Sequence, residues 1–267
     1  MPEIIEIRLE GEARKGVHPE DVILEVLGRI RADGAVYKAI DFTGSYVDAL
    51  NVAGSMTICN MAVEMGAKTA YMQPNQAVLD YVNRRAVRPY EVQFTDPDFQ
   101  YEASYVFDVS PIEPNLACPS SVENVHPLRE VMDSGQVKLN QGYIGSCTGG
   151  RVEDIAIDAQ ILKGRHIVPY TRLIIVPASS EVMQECMQAG YIQDLIAAGA
   201  TVTTPDCGAC LGAHEGVLAP GEGCITSTNR NFPGRMGATD AQMYLASPAT
   251  VAASIARGEI TEPRDFL

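Results

Sequence analysis

The stretch "LNQGYIGSCTGGRVEDIAIDAQILKG", residues 139–164, reads as a short apolar strand, a turn and an amphipathic helix in immediate succession. This succession is typical of a parallel α/β sheet, in which functional groups collect at the carboxyl ends of the strands. The turn contains Cys147, which is therefore predicted to lie at a strand end. It also contains Gly145, Gly149 and Gly150, which we expect to let the backbone approach a bulky ligand closely.

The same alternation of strands and helices runs along the rest of the chain. It predicts an α/β fold with mainly parallel sheets. A stretch with several prolines, residues 111–127, separates two such series, so we expect two α/β domains that cover residues 1–115 and 116–267. The predicted strands are residues 3–11, 37–44, 68–73, 139–146, 172–179, 201–205 and 223–229, and the predicted helices are residues 19–34, 56–67, 75–86, 151–164, 180–200 (one helix or two) and 247–260, with Asn75 and Ser247 as caps.

The composition is that of an acidic globular chain. Its 267 residues carry a formal net charge of −14, which argues against nucleic acid and anionic membranes as partners. No apolar run reaches the length of a membrane helix, and the N-terminus lacks the basic region of a signal peptide. The seven cysteines are too sparse for a secreted disulfide scaffold, so we expect a cytoplasmic chain with reduced thiols.

A second cysteine motif stands in "TTPDCGACLGAHEG", residues 204–217, where a predicted strand ends. By themselves, Cys207 and Cys210 are compatible with two buried thiols, with a redox pair or with part of a zinc site. Because this strand and the strand before Cys147 are predicted in one sheet, we expect the three thiols to converge. Three thiols are too few for a closed structural zinc site, and they suit an iron–sulfur cluster with one iron open to substrate.

These motifs, with several further segments, resemble the aconitase family. Fifty-nine residues separate Cys147 from Cys207, within "GSCTGGRVED" and "PDCGACLG". The segments "DFTG", "MTICNMAVEMGA", "ACPSSVENVHPL", "STNRNFPGRMG" and "YLASPATVAASIARGEI" follow in family order over almost the whole chain. The resemblance is greatest to the large subunits of 3-isopropylmalate dehydratases and homoaconitases. It implies a [4Fe–4S] cluster held by Cys147, Cys207 and Cys210, and the fold of the second and third domains of that large subunit.

A basic loop, "TSTNRNFPGRMG" at residues 226–237, places Arg230 and Arg235 five residues apart after a predicted strand. The two arginines are either solvated surface cations or, because guanidinium forks match carboxylates, a binding site for an acidic substrate. The resemblance implies that both arginines bind substrate carboxylates and that Asn229 lines the cluster.

Glu64 lies four residues after Asn60 in one predicted helix, so the two side chains are expected on one helix face. From the residues alone, an exposed glutamate on an amphipathic helix is the simpler interpretation. The resemblance implies instead that Asn60 lies near the cluster and that Glu64 is a catalytic carboxylate beside the substrate. The four remaining cysteines are predicted to be small buried hydrophobic residues: Cys59, Cys118, Cys186 and Cys224.

The resemblance implies a hydro-lyase that removes and re-adds water on a hydroxy-dicarboxylate. It favours 3-isopropylmalate, with homoaconitate and 2,3-dimethylmalate as alternatives. A non-catalytic cluster- or zinc-binding scaffold is the competing interpretation. The family also implies a small partner subunit and an N-terminal domain that nothing in this sequence matches, so we expect the chain to be inactive alone. One loop departs from the family, whose members often have Ser-Cys-Thr-Asn where this chain has Gly149.

Overall fold

A computed structural model describes residues 2–267 and contains two β-sheets. The first sheet has four parallel strands in the order β3-β2-β1-β4. Its strands are β1 (Ile4–Glu10), β2 (Ala39–Thr43), β3 (Thr69–Met72) and β4 (Ala103–Asp108). The helices between them are α1 (Pro19–Ile30), α2 (Ser45–Asp48), α3 (Val52–Met61) and α4 (Gln76–Asn83).

The second sheet has seven strands in the order β6-β5-β11-β10-β7-β8-β9. The five strands from β11 to β9 are parallel, and β5 pairs antiparallel with both β11 and β6. Its strands are β5 (Asn115–Ala117), β6 (Val125–Pro127), β7 (Gln141–Gly145), β8 (Arg172–Val176), β9 (Thr201–Val202), β10 (Gly223–Thr226) and β11 (Gln242–Leu245). The helices of this part are α5 (Leu128–Ser134), α6 (Ser146–Gly149), α7 (Val152–Leu162), α8 (Ser180–Gln188), α9 (Tyr191–Ala197) and α10 (Pro248–Arg257).

The α/β class with mainly parallel strands is confirmed. Every predicted strand and helix has a counterpart, and the segment 180–200 forms two helices. Asn75 caps α4 as predicted, because its side chain accepts a hydrogen bond from the backbone N–H of Val78. Ser247 stands at the N-cap position of α10, but it makes no capping bond, and its hydroxyl lies 3.1 Å from the Thr250 hydroxyl.

The two sheets share apolar packing and specific hydrogen bonds. The core around the first sheet includes Ala117 and Leu245, which lie on strands of the second sheet. The backbone N–H of Asn115 donates a 2.9 Å hydrogen bond to the Asp21 carboxylate in α1. Because the first residue of β5 is Asn115, the predicted division after residue 115 lies at this junction and stays a prediction. Within residues 2–267, no helix is both long and apolar enough to span a bilayer.

Candidate functional site

Cys147 lies in α6, the single helical turn that follows β7, and its side chain is exposed. The glycines of this turn contact protein rather than open space. A Cβ atom on Gly149 would lie 2.4 Å from the Ser227 hydroxyl oxygen, and one on Gly145 would lie 2.1 Å from the Val176 carbonyl oxygen. These glycines therefore allow α6 to pack against the ends of β8 and β10, and the expectation that they let the backbone approach a ligand stays a prediction.

Cys207 and Cys210 lie in the loop after β9, and a 3-10 turn (Gly208–Leu211) contains the second of them. Cys207 is exposed, whereas Cys210 is only 5% exposed. The hydroxyl of Tyr143, a fully buried residue of β7, donates a 2.9 Å hydrogen bond to the Cys207 carbonyl oxygen. This bond ties the Cys-x-x-Cys loop to the strand that leads to Cys147.

The structure brings the three cysteines to the same end of the second sheet, where β7, β8 and β9 run parallel. Partial burial raises the pKa of Cys207, the Cys210 and Cys147 thiols raise it further, and Arg235 opposes them. The three thiols are thus within electrostatic reach of one another, and all three are free. Between residues 2 and 267, no three His, Cys, Asp or Glu side chains are close enough to hold one metal ion together. The three sulfurs therefore lie near one another but do not form a closed set of metal ligands.

Glu64 connects the end of α3 to the basic loop of residues 226–237. Its Oε1 atom accepts a 2.7 Å hydrogen bond from Nε of Arg230 and a 3.0 Å hydrogen bond from Nδ2 of Asn229. The Glu64 side chain is 9% exposed, so this ion pair lies largely out of solvent. The predicted single helix is wrong in one detail, because α3 ends at Met61 and Glu64 lies in the 3-10 turn that follows.

The pKa of Glu64 is raised from its ordinary value of 4.5. Burial is the largest cause, and hydrogen bonding and charge from Arg230, charge from Arg235 and hydrogen bonding from Asn229 only partly oppose it. A carboxyl group in this state holds a proton more readily than a solvated one, which suits a group that gives and takes protons.

Asn60 and Arg235 connect this pair to the thiols. The Thr148 hydroxyl donates a 3.4 Å hydrogen bond to Oδ1 of Asn60 and lies 3.9 Å from the Cys147 sulfur. Nη2 of Arg235 lies 3.9 Å from the Cys210 sulfur, and its Nε is buried without a hydrogen-bond partner. Each residue that the sequence singled out therefore lies within one or two contacts of either a thiol or Glu64.

Four residues around the site escaped the sequence reasoning because they act through backbone groups or other side chains: Thr57, Tyr143, Thr148 and Asn231. Thr57 donates a 3.0 Å hydrogen bond to the Thr148 carbonyl and so fixes α3 against α6. Asn231 donates to the Cys118 carbonyl at 2.8 Å and so anchors the basic loop. Only Thr148 carried a signal, its place directly after Cys147.

The remaining cysteines divide into two classes. Cys186 and Cys224 are fully buried, as predicted. Cys59 and Cys118 are only partly buried, so the prediction is wrong for these two. Cys118 lies near the basic loop, because its carbonyl oxygen accepts the hydrogen bond from Asn231.

The residues at this end of the sheet fit an iron–sulfur cluster. Three free thiols are the donor set that such a cluster takes, and two of them, Cys147 and Cys207, are exposed to an incoming group. The unpartnered Nε of Arg235, beside Cys210, is a buried donor available to a group bound there. The chemistry of the donor set supports such a site.

Comparison with known proteins identifies a matching family and several similar chains. Residues 1–258 match the model of the aconitase family (aconitate hydratase). The chain is 47% identical over its whole length to 3-isopropylmalate dehydratase large subunit 1 of Methanopyrus kandleri, of which it covers 63%. It is 46% identical over 99% of its length to a probable methanogen homoaconitase large subunit of Methanothermobacter thermautotrophicus, of which it covers 61%. A 3-isopropylmalate dehydratase large subunit of a Hydrogenobaculum species is 43% identical over 99% of this chain, and the chain covers 62% of that protein. The chain thus spans less than two thirds of the length of these relatives.

Proposed function

Because the chain belongs to the aconitase family, we propose that it is the cluster-binding part of the large subunit of an iron–sulfur hydro-lyase. The reaction is the loss and re-addition of water on a hydroxy-dicarboxylate. The first substrate to test is 3-isopropylmalate, since relatives that are 43% and 47% identical carry that name. Homoaconitate and 2,3-dimethylmalate are the next substrates to test. The observation that carries the proposal is the partly buried Glu64–Arg230 pair at the sheet end that bears three free thiols.

Cys147, Cys207 and Cys210 would hold a [4Fe–4S] cluster, in keeping with a family whose members are in general iron–sulfur enzymes. When bound with one iron open, such a cluster supplies a Lewis acid that polarises a hydroxyl and a carboxylate of the substrate. Tyr143 restrains the loop of Cys207 through its hydroxyl, and Thr148 connects the turn of Cys147 to Asn60 and Thr57 on α3.

Arg230 and Arg235 bind and orient the substrate carboxylates. The net charge of −14 repels an anion, so the attraction has to come from cations concentrated at one point. Glu64 engages only Nε of Arg230, which leaves the two terminal nitrogens of the guanidinium group for a carboxylate. Asn229 keeps Glu64 in place by its 3.0 Å hydrogen bond.

Glu64 holds a proton beside the hydroxyl that leaves as water, a role that its raised pKa favours. Asn60 supports the loop of Cys147 through Thr148. The base that removes the proton next to a substrate carboxylate comes from another polypeptide. We propose that this is the small subunit of the dehydratase, because the relatives are named large subunits. We also propose that the chain works in the cytoplasm, where its seven thiols stay reduced.

Anaerobic reconstitution with iron and sulfide tests the cluster. We expect the broad visible absorption of a [4Fe–4S] centre in the unaltered chain and in a Cys186→Ser variant, whose thiol is buried in the core around α7 to α9. We expect no such absorption in Cys147→Ser. Equal cluster content in the two variants would contradict the assignment.

The reaction is tested after reassembly with a small subunit and the remaining large-subunit segment of a 3-isopropylmalate dehydratase. Formation of the unsaturated acid is followed with each of the three substrates in turn. A reassembled complex that carries the full cluster and dehydrates none of them would leave the scaffold interpretation in place of the enzyme.

A further inference from the structure

A cavity of about 590 Å³ lies where α1, α3 and α7 meet the start of α10. It borders the N-terminal end of α3, whereas Glu64 follows the C-terminal end of that helix. Its volume is that of a small-molecule pocket. The charged and polar residues of the lining include His18, Glu20, Asp154 and Lys163. Its apolar and aromatic residues include Ile157 and Tyr191.

Glu20, which lines this cavity, and Asp158, whose charge acts on Glu20, have no hydrogen-bond partner among the described residues. Glu20 is 1% exposed and Asp158 is fully buried, and none of their four carboxylate oxygens takes part in a hydrogen bond. The neighbouring Asp21 and Asp154 are different, because they accept backbone N–H bonds of 2.8 and 2.9 Å at the starts of α1 and α7. Helix capping explains those two acids and leaves Glu20 and Asp158 unexplained.

The imidazole of His18 is a second, independent sign of a missing partner. Its Nε2 atom is buried, lacks a hydrogen-bond partner and belongs to a residue that lines the cavity. Burial lowers the pKa of His18, so the ring is neutral, and Nε2 accepts a hydrogen bond in the tautomer that is protonated on Nδ1. In that tautomer the imidazole nitrogen and the Glu20 carboxylate are both acceptors on the wall of one cavity, so a hydrogen-bond donor suits this cavity.

Within the part of the chain that the structure describes, no cation contacts the carboxylate oxygens of either acid. Among the described residues that line the cavity, the only lysine or arginine is Lys163, and its Nζ is 3.0 Å from the Asp194 carboxylate. Burial raises the pKa of Glu20, and the charges of Asp21, Asp154 and Asp158 raise it further. A buried carboxylate without a partner is costly, and a positive charge from outside would relieve that cost.

We propose that this cavity binds a primary alkylammonium group, with its nitrogen at Glu20 and His18 and its hydrocarbon stem along the apolar wall. The wall contains Ile157, Tyr191 and Pro248, which suit a flexible alkyl chain. A bare metal ion is a poorer match, because Asp21 and Asp154 already accept backbone N–H bonds, and of the described residues that line the cavity only His18 and Glu20 keep unpartnered buried atoms. Both a free amine and a lysine side chain of a partner polypeptide have this chemistry. The proposal does not depend on the hydro-lyase assignment.

Isothermal titration calorimetry of the full chain with n-butylammonium chloride, in mildly alkaline buffer at constant ionic strength, tests the site. We expect saturable binding that weakens by about tenfold or more in Glu20→Gln, because the variant keeps the shape and loses the charge. Asp158→Asn, on the neighbouring helix, should weaken binding in the same direction. Glu12→Gln, which changes an exposed acid, should bind like the unaltered chain. Butan-1-ol, which lacks the charge, should not bind.

The source of the amine is distinguished by Nα-acetyl-lysine amide, which carries the ammonium group on a peptide-like backbone. Binding of both probes indicates a lysine side chain as the physiological ligand, and binding of n-butylammonium alone indicates a free amine. Equal affinity of the unaltered chain and both acid variants for n-butylammonium, or no saturable binding at all, would overturn the proposal. Far-UV circular dichroism of each variant shows that it is folded before it is titrated.

Discussion

The ion pair of Glu64 and Arg230 shows how one contact serves two residues at the candidate site. Glu64 is nearly buried, and without a cation its charge would be costly. Arg230 stabilises that charge through Nε and is itself fixed in one orientation by the contact. A fixed guanidinium loses less conformational freedom when it binds a second carboxylate, so the pair prepares Arg230 for substrate.

Arg230→Lys should weaken substrate binding although the positive charge is kept. Lysine cannot contact Glu64 and a substrate carboxylate with one planar fork, so we expect kcat/KM to fall by about 30-fold, or roughly 2 kcal/mol, in a reassembled complex with matched cluster content. The matched control is Arg84→Lys, an exposed arginine at the end of α4. If the two variants behave alike, the basic loop is a solvated surface feature.

Tyr143 is expected to position the Cys-x-x-Cys loop. Tyr143→Phe removes the hydroxyl that donates to the Cys207 carbonyl and should cost about 1 kcal/mol of local stability. We therefore expect faster alkylation of the Cys210 thiol, which is 5% exposed, in the cluster-free protein. Tyr46→Phe is the control, since Tyr46 is also buried and lies in the other core. Identical alkylation rates in the two variants would show that the hydroxyl does not restrain the loop.

At the scale of elements, the helix α7 contains acidic groups whose burial opposes their ionisation. Burial raises the pKa of Asp154 from 3.8 to about 7, and it also raises the pKa of Asp158, which has no hydrogen-bond partner. Asp21 on α1 has a pKa of about 7 for the same reason. The folded chain therefore binds more protons than the unfolded chain between these values.

The free energy of unfolding should consequently fall as the pH rises from the ordinary aspartate pKa of 3.8 toward 7, and Glu20 and Asp158, whose pKa values are raised well above their ordinary values, add to this fall. His18 acts in the opposite direction, because its lowered pKa favours folding as the pH rises toward 6.5, but it is one group against several. The carboxyls with lowered pKa values, such as Glu222, contribute fully above their ordinary value of 4.5, so they oppose the fall only in the acidic part of this window.

Asp158→Asn removes one of the buried protons and should reduce the slope of that fall by up to about 1.4 kcal/mol per pH unit. Urea unfolding at a series of pH values across the window measures it. Glu130→Gln, at an exposed position on α5, is the control and should leave the slope unchanged. An unchanged slope in Asp158→Asn would mean that this carboxyl is already ionised in the folded state.

Whether a helix or strand could be predicted from the sequence depends on how strong an apolar pattern its own residues form. The strand of β8 and the helix of α7 have apolar runs or helical period strong enough to define them, and both are confirmed. The strands β4, β5, β6 and β11 were missed. β4 is an edge strand whose side chains are mostly exposed, so it lacks an alternating apolar pattern. The other three have only three or four residues, which carry too little pattern, and their pairing comes from distant partners. Likewise, Glu64 lies in a 3-10 turn and not in the predicted α-helix, because tertiary packing decides where the helix ends and the helical spacing of apolar residues does not indicate it.

At the candidate site, residues that lie in characteristic sequence motifs could be predicted, whereas residues that contact backbone carbonyl groups could not. Cys147, Glu64 and Arg230 belong to recognisable segments. The structure pairs Glu64 with Arg230 and places Cys147 within electrostatic reach of Cys207. Tyr143 and Asn231 act on carbonyl oxygens, which every residue has, so no pattern in the sequence distinguishes their targets. The roles of all these residues in catalysis stay predictions.

For the whole molecule, the junction between the two sheets decides whether the candidate site is rigid. Glu64 comes from the first-sheet part of the chain, whereas Arg230 and the three cysteines come from the second. Any sliding of one part against the other would separate Glu64 from its partners. The buried Asn115, which donates to Asp21 through both its backbone N–H and its side chain, is the clearest tie between them.

We expect the two sheets to unfold together and Asn115→Ala to weaken that unit without dividing it. The shared core joins residues of both sheets, so far-UV circular dichroism and tyrosine fluorescence should report one coincident transition in denaturant. Loss of the Asn115 amide removes a 3.1 Å hydrogen bond to the Asp21 carbonyl inside a buried junction, which should cost about 1–3 kcal/mol. Gln188→Ala, an exposed residue of α8, should cost far less. Two separate transitions in the unaltered chain would show that the sheets are independent, and the geometry of Glu64 against Arg230 would then require the partner subunit to fix it.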